Sequence, residues 1–135
     1  MSGIVADDVL VGVLHYLPIG EARCFTADRQ SLQDAFHTLK MRFPTTLRVI
    51  GFRSAGGFTE SAALDQAFSN LEATGLLQRQ NNEPRFYFVQ QVVDEAYERF
   101  AAVRLRGAGI DEAQLRRLAE EFTRLSGGRE TVSTV

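Results

Sequence analysis

The chain contains few cysteine and histidine residues, which limits the disulfide bonds and metal sites that it can form. Among its 135 residues there is one cysteine, Cys24, and there are two histidines, His15 and His37. A single cysteine cannot form an internal disulfide bond, so we expect a buried structural thiol in a cytoplasmic protein. Together these side chains cannot supply the four nitrogen and sulfur ligands of a structural zinc site. We therefore predict no metal.

A long apolar run and a recognisable catalytic pattern are also missing. The longest uncharged apolar run, Val9 to Leu14, is far too short to span a membrane, and the acidic start MSGIVADDVL does not resemble a secretory signal. The chain has no glycine-rich phosphate loop, no G-x-S-x-G motif and no pair of metal-binding histidines. We therefore predict a protein that has no catalytic residues, binds no cofactor and does not enter a membrane.

Acidic residues are absent from residues 35 to 59, although the whole chain carries a net charge of −2. Lys40, Arg42, Arg48 and Arg53 all fall in this acid-free segment. The overall negative charge disfavours strong nonspecific binding to nucleic acid, but a local group of cations could still contact backbone phosphates. This asymmetry is the main electrostatic signal in the sequence.

Hydrophobic residues repeat with helical spacing in the first half of the chain. The repeat predicts a helix over residues 5 to 17, a second over 28 to 43 that stops at Pro44, and a third over 60 to 74. Gly75 is expected to end the third helix in the left-handed conformation.

Short strands are predicted between and after these helices. EARCFT indicates one brief strand, and TLRVIGFRSAGGF indicates a β-like run that gives way to a loop at its paired glycines. Residues 76 to 80 and 85 to 89 should form a hairpin with NNEP as its turn. Phe86 and Phe88 should share one side of the second strand because side chains alternate along a strand.

Two helical patterns occupy the rest of the chain. The first is a stripe formed by Val92, Val93, Ala96, Tyr97, Phe100 and Val103. The second begins at Asp111, which could form a capping box with Gln114. It continues as a heptad-like repeat of Leu115, Leu118, Phe122 and Leu125. We expect a single domain over residues 1 to 126, with a core over 4 to 90 and a helical extension over 91 to 126. Residues 127 to 135 should form a flexible tail.

Residues 61 to 89, SAALDQAFSNLEATGLLQRQNNEPRFYFV, resemble the third helix and the wing of bacterial winged helix-turn-helix domains. The order of helix, strand, helix, helix and hairpin is also that of a winged helix. The resemblance implies an α+β, mostly helical fold with a winged-helix-like core, a β-hairpin wing and two extra C-terminal helices. The chain departs from the family in placing residues 44 to 59 between the second and third helices.

The third helix also departs from the family in its charge. Its outward positions are Glu60, Asp65, Gln66, Ser69, Asn70 and Glu72. DNA-binding members present cations and amides from this helix to the major groove. Carboxylates without a cation would instead repel the phosphates that line the groove.

These observations leave two functions open. The first is a protein-interaction or regulatory module that forms a homodimer through a coiled-coil-like seam of Leu115, Leu118, Phe122 and Leu125. The alternative is a DNA-binding transcriptional regulator that grips backbone phosphates weakly. Its contacts would come from Lys40, Arg42, Arg48 and Arg53 of the acid-free segment and from Arg79 and Arg85 of the wing.

Overall fold

The structure is a computed structural model that describes residues 5–17, 24–56, 58–79 and 84–127. The elements run in chain order as α1 Ala6–His15, β1 Cys24–Thr26, α2 Arg29–Arg42, β2 Arg53–Ala55, β3 Phe58–Glu60, α3 Ala62–Ala73, β4 Arg85–Tyr87, α4 Gln90–Ala96, α5 Ala102–Gly107 and α6 Glu112–Phe122. A π-helical turn, Tyr97–Ala101, joins α4 to α5, and a second, Thr123–Gly127, follows α6. The protein is therefore mostly helical with a small strand content, as predicted.

Side-chain caps mark the starts of α2, α3 and α6, and α3 begins two residues later than predicted because Glu60 lies in β3. The Asp28 carboxylate accepts a hydrogen bond from the Ser31 amide at 2.9 Å, and Ser61 Oγ accepts one from the Leu64 amide at 3.1 Å. The predicted capping box forms between Asp111 and Gln114. Gly75 has a φ of 87°, as expected for a left-handed residue after a helix.

Strand β4 pairs antiparallel with β1, and Phe25 lies opposite Phe86 in the register. The predicted hairpin is only partly formed, because its first strand contributes a single bridge from Gln78 to Tyr87. The Phe25 and Phe86 rings lie 5.6 Å apart in the core, and this burial favours β1 as the main partner of β4. Most of the NNEP turn lies outside the described residues.

The β-like run predicted after α2 is wrong over its first part. Residues 44 to 50 wind into tight turns that bury Leu47 and Ile50 completely. Lys40 Nζ donates hydrogen bonds to the carbonyls of Leu47 and Ile50 at 2.9 and 3.0 Å, which fixes these turns against α2. Strands begin only at Arg53, where β2 and β3 form an antiparallel hairpin in place of the predicted loop.

The predicted stripe along the helix after β4 is divided between the core and the surface. Val93, Ala101 and Leu105 are buried, whereas Phe100 and Val103 are exposed. A π turn has more residues per turn than an α-helix, so it brings Ala101 into line with Val93 and rotates Phe100 outward. The stripe is therefore not the uniformly packed face that the spacing suggested.

The predicted dimer seam on α6 is contradicted by burial within the chain. Leu115, Leu118 and Phe122 are no more than 2% exposed, and Leu125 packs against the same core. The Phe122 ring lies 5.2 Å from Phe36, on α2. The core therefore extends through α6 and does not end near residue 90. The predicted tail lies, after Gly127, outside the described residues.

Candidate interaction surface

The cations predicted on the acid-free segment are engaged by different parts of the fold. Arg42 forms an ion pair of 2.6 Å with Glu121, on α6. Arg48 donates to the carbonyls of Thr45 and Ala108, each at 3.1 Å. Lys40 caps the turns after α2, as described above. Arg53 is exposed on β2. The structure therefore does not gather these side chains around one common contact.

The two wing cations are also held by neighbours. Arg79 Nε lies 3.2 Å from Glu72 Oε2, and its guanidinium lies over the Phe86 ring at 4.8 Å from the centroid. Arg85 Nη2 donates to Cys24 Sγ at 3.2 Å. A phosphate would have to compete with these internal partners for either guanidinium.

The outward side of α3 carries ion pairs and amide contacts. Asp65 pairs with Arg29 at 2.7 Å, and Glu60, on β3, pairs with the same guanidinium at 3.0 Å. Asn70 Nδ2 donates to Asp7 Oδ2 at 3.0 Å, and Gln66 Nε2 donates to Asn70 Oδ1 at 2.9 Å. Side chains that are bonded to one another in this way are not free to contact base edges.

A cavity of about 240 Å³ lies between α2, α3 and β4. Phe68 is half-buried at its floor and stacks on Phe86 with ring centroids 5.7 Å apart. The Arg29–Asp65 and Arg79–Glu72 pairs border the cavity. Phe68 thus faces inward, as the α3 register predicted, while the rim has as many carboxylates as cations. Such a rim does not favour an anionic ligand.

Three of the large apolar side chains left in solvent lie on the helix from α4 to α5, and the others in the described ranges, Val5, Met41 and Val89, lie apart from one another in the chain. Val92, Phe100 and Val103 are 45%, 58% and 66% exposed, and we call this set the outer face. They follow one another at intervals of eight and three residues, which place them on the same side of the helix when the π turn is included. Three large exposed apolar residues on one side of a helix are typical of a surface that binds another protein.

A groove beside the outer face adds further apolar surface. It has a volume of about 340 Å³ and lies between α1, the end of α3 and the π turn, where Phe100 and Ala96 form one wall and Leu71 and Leu76 lie opposite. Asp8 and Arg104 line its polar end, with Arg104 Nε 3.2 Å from Asp8 Oδ2. Burial raises the pKa of the Asp8 carboxyl, against the opposing effects of the Val5 amide and Arg104.

A polar cluster fixes α4 against α1 and so orients the outer face. His15 Nδ1 lies 2.7 Å from Asp94 Oδ1, and the His15 ring stacks on Tyr97 at 4.0 Å between centroids. Gln90 Nε2 also donates to Asp94 Oδ1 at 2.7 Å. The sequence shows His15 only as a polar residue next to an apolar stripe, since its partners lie far away in the chain.

The tyrosines of this cluster favour a structural role. Tyr16 Oη and Tyr97 Oη lie 3.3 Å apart. Burial and this hydrogen bond raise the pKa of Tyr16, so its hydroxyl stays protonated near neutral pH. The guanidinium of Arg116, on α6, lies over the Tyr16 ring at 4.7 Å from the centroid. The cluster thus links α1, α4 and α6.

Comparison with models of protein families, with curated proteins and with solved structures finds no match for this chain. Over the described residues, His, Cys, Asp and Glu side chains do not come together in any group of three that could hold a metal ion. In the same part of the chain, every helix is too short or too polar to cross a membrane.

Proposed function

We propose that this chain is a non-enzymatic protein-interaction module of the cytoplasm, built on a winged-helix-like core, and that the outer face is its contact surface. The observation that carries the proposal is the exposure of Val92, Phe100 and Val103 on one side of a helix whose other side packs on the core. Full burial of one apolar side chain contributes roughly 1.5 to 3 kcal/mol relative to full exposure. A complex that covers the exposed parts of these three side chains is therefore stabilised by their burial.

The position of the outer face agrees with this role. It lies on a helix whose opposite side is buried through Val93 and Leu105, and the His15–Asp94 contact holds that helix on α1. A partner would therefore meet a preformed surface and would not have to order it. Binding to a preorganised surface avoids part of the entropic cost of association.

DNA binding is the second candidate, and the distribution of charge disfavours it. Arg42 and Arg79 pair with carboxylates, while Lys40 and Arg48 donate to backbone carbonyls. Binding to DNA phosphates releases counterions only if the cations of the protein can leave their internal partners or share them with a phosphate. If duplex DNA binds at all, we expect an affinity in the micromolar range or weaker at physiological salt, with little preference for sequence.

The test places a photo-crosslinking amino acid at Val103 and irradiates cells that express the full chain. We expect an adduct with another polypeptide from this position and none from a matched position at Glu120, which is exposed on α6. Adding Phe100→Ser should abolish the adduct because it removes apolar area from the same face. Adding Arg79→Ala with Arg85→Ala should leave it intact, since these residues lie on another part of the molecule.

Fluorescence anisotropy with labelled duplex DNA at low salt supplies the opposing arm of the test. The proposal is overturned if no adduct forms from positions 92, 100 or 103. If duplex DNA binds with micromolar affinity, and Arg79→Ala with Arg85→Ala weakens that binding, the result would favour the DNA-binding regulator. An adduct that persists with Phe100→Ser would also count against the outer face, because it would show that contact does not depend on apolar burial there.

A further inference from the structure

The two valines at the ends of the outer face can lie opposite each other when a second copy is turned end to end. Val92 and Val103 lie at its two ends, and their midpoint falls between residues 97 and 98, in the π turn. In an antiparallel pair related by a twofold axis through this midpoint, residue i of one copy lies opposite residue 195 − i of the other, so Val92 faces Val103 of the second copy. An isologous interface of this kind is the commonest route to a homodimer.

The charges beside the outer face agree with the same arrangement. Glu95 and Arg99 are both exposed, and neither side chain makes an ion pair with a residue in the described ranges. Helical spacing places both on the flank of the outer face that also holds Val103. In this register Glu95 lies opposite residue 100 of the second copy, and a twofold axis brings a flank against the same flank, so Glu95 of one copy lies one residue away from direct opposition to Arg99 of the other. Two such pairs form in each dimer.

Other arrangements of the two copies lack this match. In a parallel pair, the twofold axis runs along the helices and puts this flank of the two copies on opposite sides of the interface, so Glu95 of one copy does not meet Arg99 of the other. The two charges then have no opposite charge across the interface, and that orientation gains nothing from them. The charge pattern therefore favours the antiparallel pair.

We propose that the outer face binds the outer face of a second copy of this chain, antiparallel, with Phe100 near the centre and Glu95 beside Arg99 of the other copy. The inference rests on the proposed function and names the partner of its contact surface. Two short helices buried against each other form an interface at the small end of the usual size range. We therefore expect self-association at protein concentrations on the order of 100 µM.

Charge reversal on the full-length chain tests the proposed register. Glu95→Arg brings two arginines together across the homodimer interface, because the new side chain lies beside Arg99 of the other copy. Arg99→Glu likewise brings two glutamates together, because the new carboxylate lies beside Glu95. Sedimentation equilibrium should show that each variant alone self-associates at least about tenfold more weakly than the parent chain. An equimolar mixture of the two variants should form a heterodimer, since each arginine pair and each glutamate pair is then replaced by a pair of opposite charges.

The mixture controls for effects within each chain, because each variant has the same sequence alone and mixed. Both residues are exposed, so circular dichroism should show unchanged folding. Arg117→Glu, an exposed reversal on α6, serves as the matched control and should leave association unchanged, since this position is distant from the outer face.

The proposal is overturned if either single reversal leaves self-association unchanged, or if mixing the variants gives no gain over the separate samples. A parent chain that remains monomeric at several hundred micromolar, on the order of the highest concentration expected for such an interface, overturns it as well. An adduct from Val103 with a different polypeptide would keep the proposed function while the second copy fails as its partner. If neither the adduct nor self-association is observed, both the proposed function and the proposed homodimer are overturned.

Discussion

The buried side-chain amide of Gln33 hydrogen bonds both backbone groups of Ser61. The Ser61 amide donates to Gln33 Oε1 at 2.7 Å, and Gln33 Nε2 donates to the Ser61 carbonyl at 3.1 Å and to Asp65 Oδ1 at 2.9 Å. Gln33 is only 1% exposed, so water cannot replace these bonds. The contact joins α2 to the N-cap of α3 and so fixes the start of α3 against α2.

We expect Gln33→Met to lower the free energy of unfolding by at least about 2 kcal/mol, because it leaves the Ser61 amide buried without a partner and removes one of the two donors to the Ser61 carbonyl, which keeps the Asp65 amide. Gln30→Met is the matched control. Gln30 is exposed on the same helix, where its side chain donates a hydrogen bond to Asp34, so we expect a change within about 0.5 kcal/mol. Urea denaturation measures both, and equal effects would contradict the role assigned to Gln33.

Gly12 allows α1 to approach α5 and α6 closely. A Cβ atom at this position would lie 3.0 Å from Leu115 Cδ2 and 3.2 Å from Leu105 Cδ1. Both leucines are only 1% exposed and have little room to move. We expect Gly12→Ala to destabilise the protein by about 1 kcal/mol or more, despite the better helix propensity of alanine.

Gly107 provides the comparison for that substitution. It lies at the end of α5, and a Cβ atom there would meet nothing within 4 Å. Gly107→Ala should therefore leave the thermal midpoint unchanged or raise it. A higher midpoint for both variants would show that the helices can separate without cost at Gly12.

Leu118 distinguishes a core position from a dimer seam. Because Leu118 is fully buried, Leu118→Ala should lower the free energy of unfolding by about 2 to 5 kcal/mol through the cavity that it leaves. This loss should not change with protein concentration. A loss of stability that appears only at high protein concentration would instead support the α6 seam that the structure contradicts. Arg117 is exposed on the same helix, so Arg117→Ala is the control and should have little effect.

Asp8 should make stability depend on pH. Because burial raises its pKa in the folded state above the value of 3.8 for the free side chain, the native protein holds this proton more tightly than the unfolded chain does. The contribution of Asp8 to stability is therefore largest below the unfolded pKa and is lost as pH rises through the folded pKa. Asp8→Asn cannot ionise, so it removes this loss of stability at higher pH. Its side-chain oxygen can still accept a hydrogen bond from the Val5 amide.

The free energy of unfolding of Asp8→Asn, measured relative to the parent chain, should consequently increase as the pH is raised from about 4 to 7. Asp28→Asn should show the opposite trend at lower pH, its free energy of unfolding relative to the parent chain falling as the pH is raised from about 2 to 4. Hydrogen bonds from the Ser31 hydroxyl and amide lower the pKa of Asp28, so its contribution is lost as pH falls through the folded pKa. Denaturant unfolding at several pH values measures both, and parallel curves for the two variants would contradict the assignment.

Local sequence determined the helices well, because the signals that define them lie within a few residues. The apolar repeat of α2 lies between its cap at Asp28 and Pro44, and Gly75 supplies the left-handed residue that ends the segment after α3. Hydrogen bonds between neighbours and the steric limits of the backbone act over the same short range. The capping box at Asp111 is confirmed for the same reason.

The sequence could not determine which surface each apolar residue meets, and the tertiary structure decided it. The heptad-like spacing of Leu115, Leu118 and Phe122 fits either a seam or a core, and the approach of α6 to α1 and α2 places them in the core. The π turn moves Phe100 to the surface, although its spacing placed it in one stripe with Val93, which is buried. The sidedness of a helix depends on its exact winding and on its neighbours, and both are set by contacts between residues far apart in the chain.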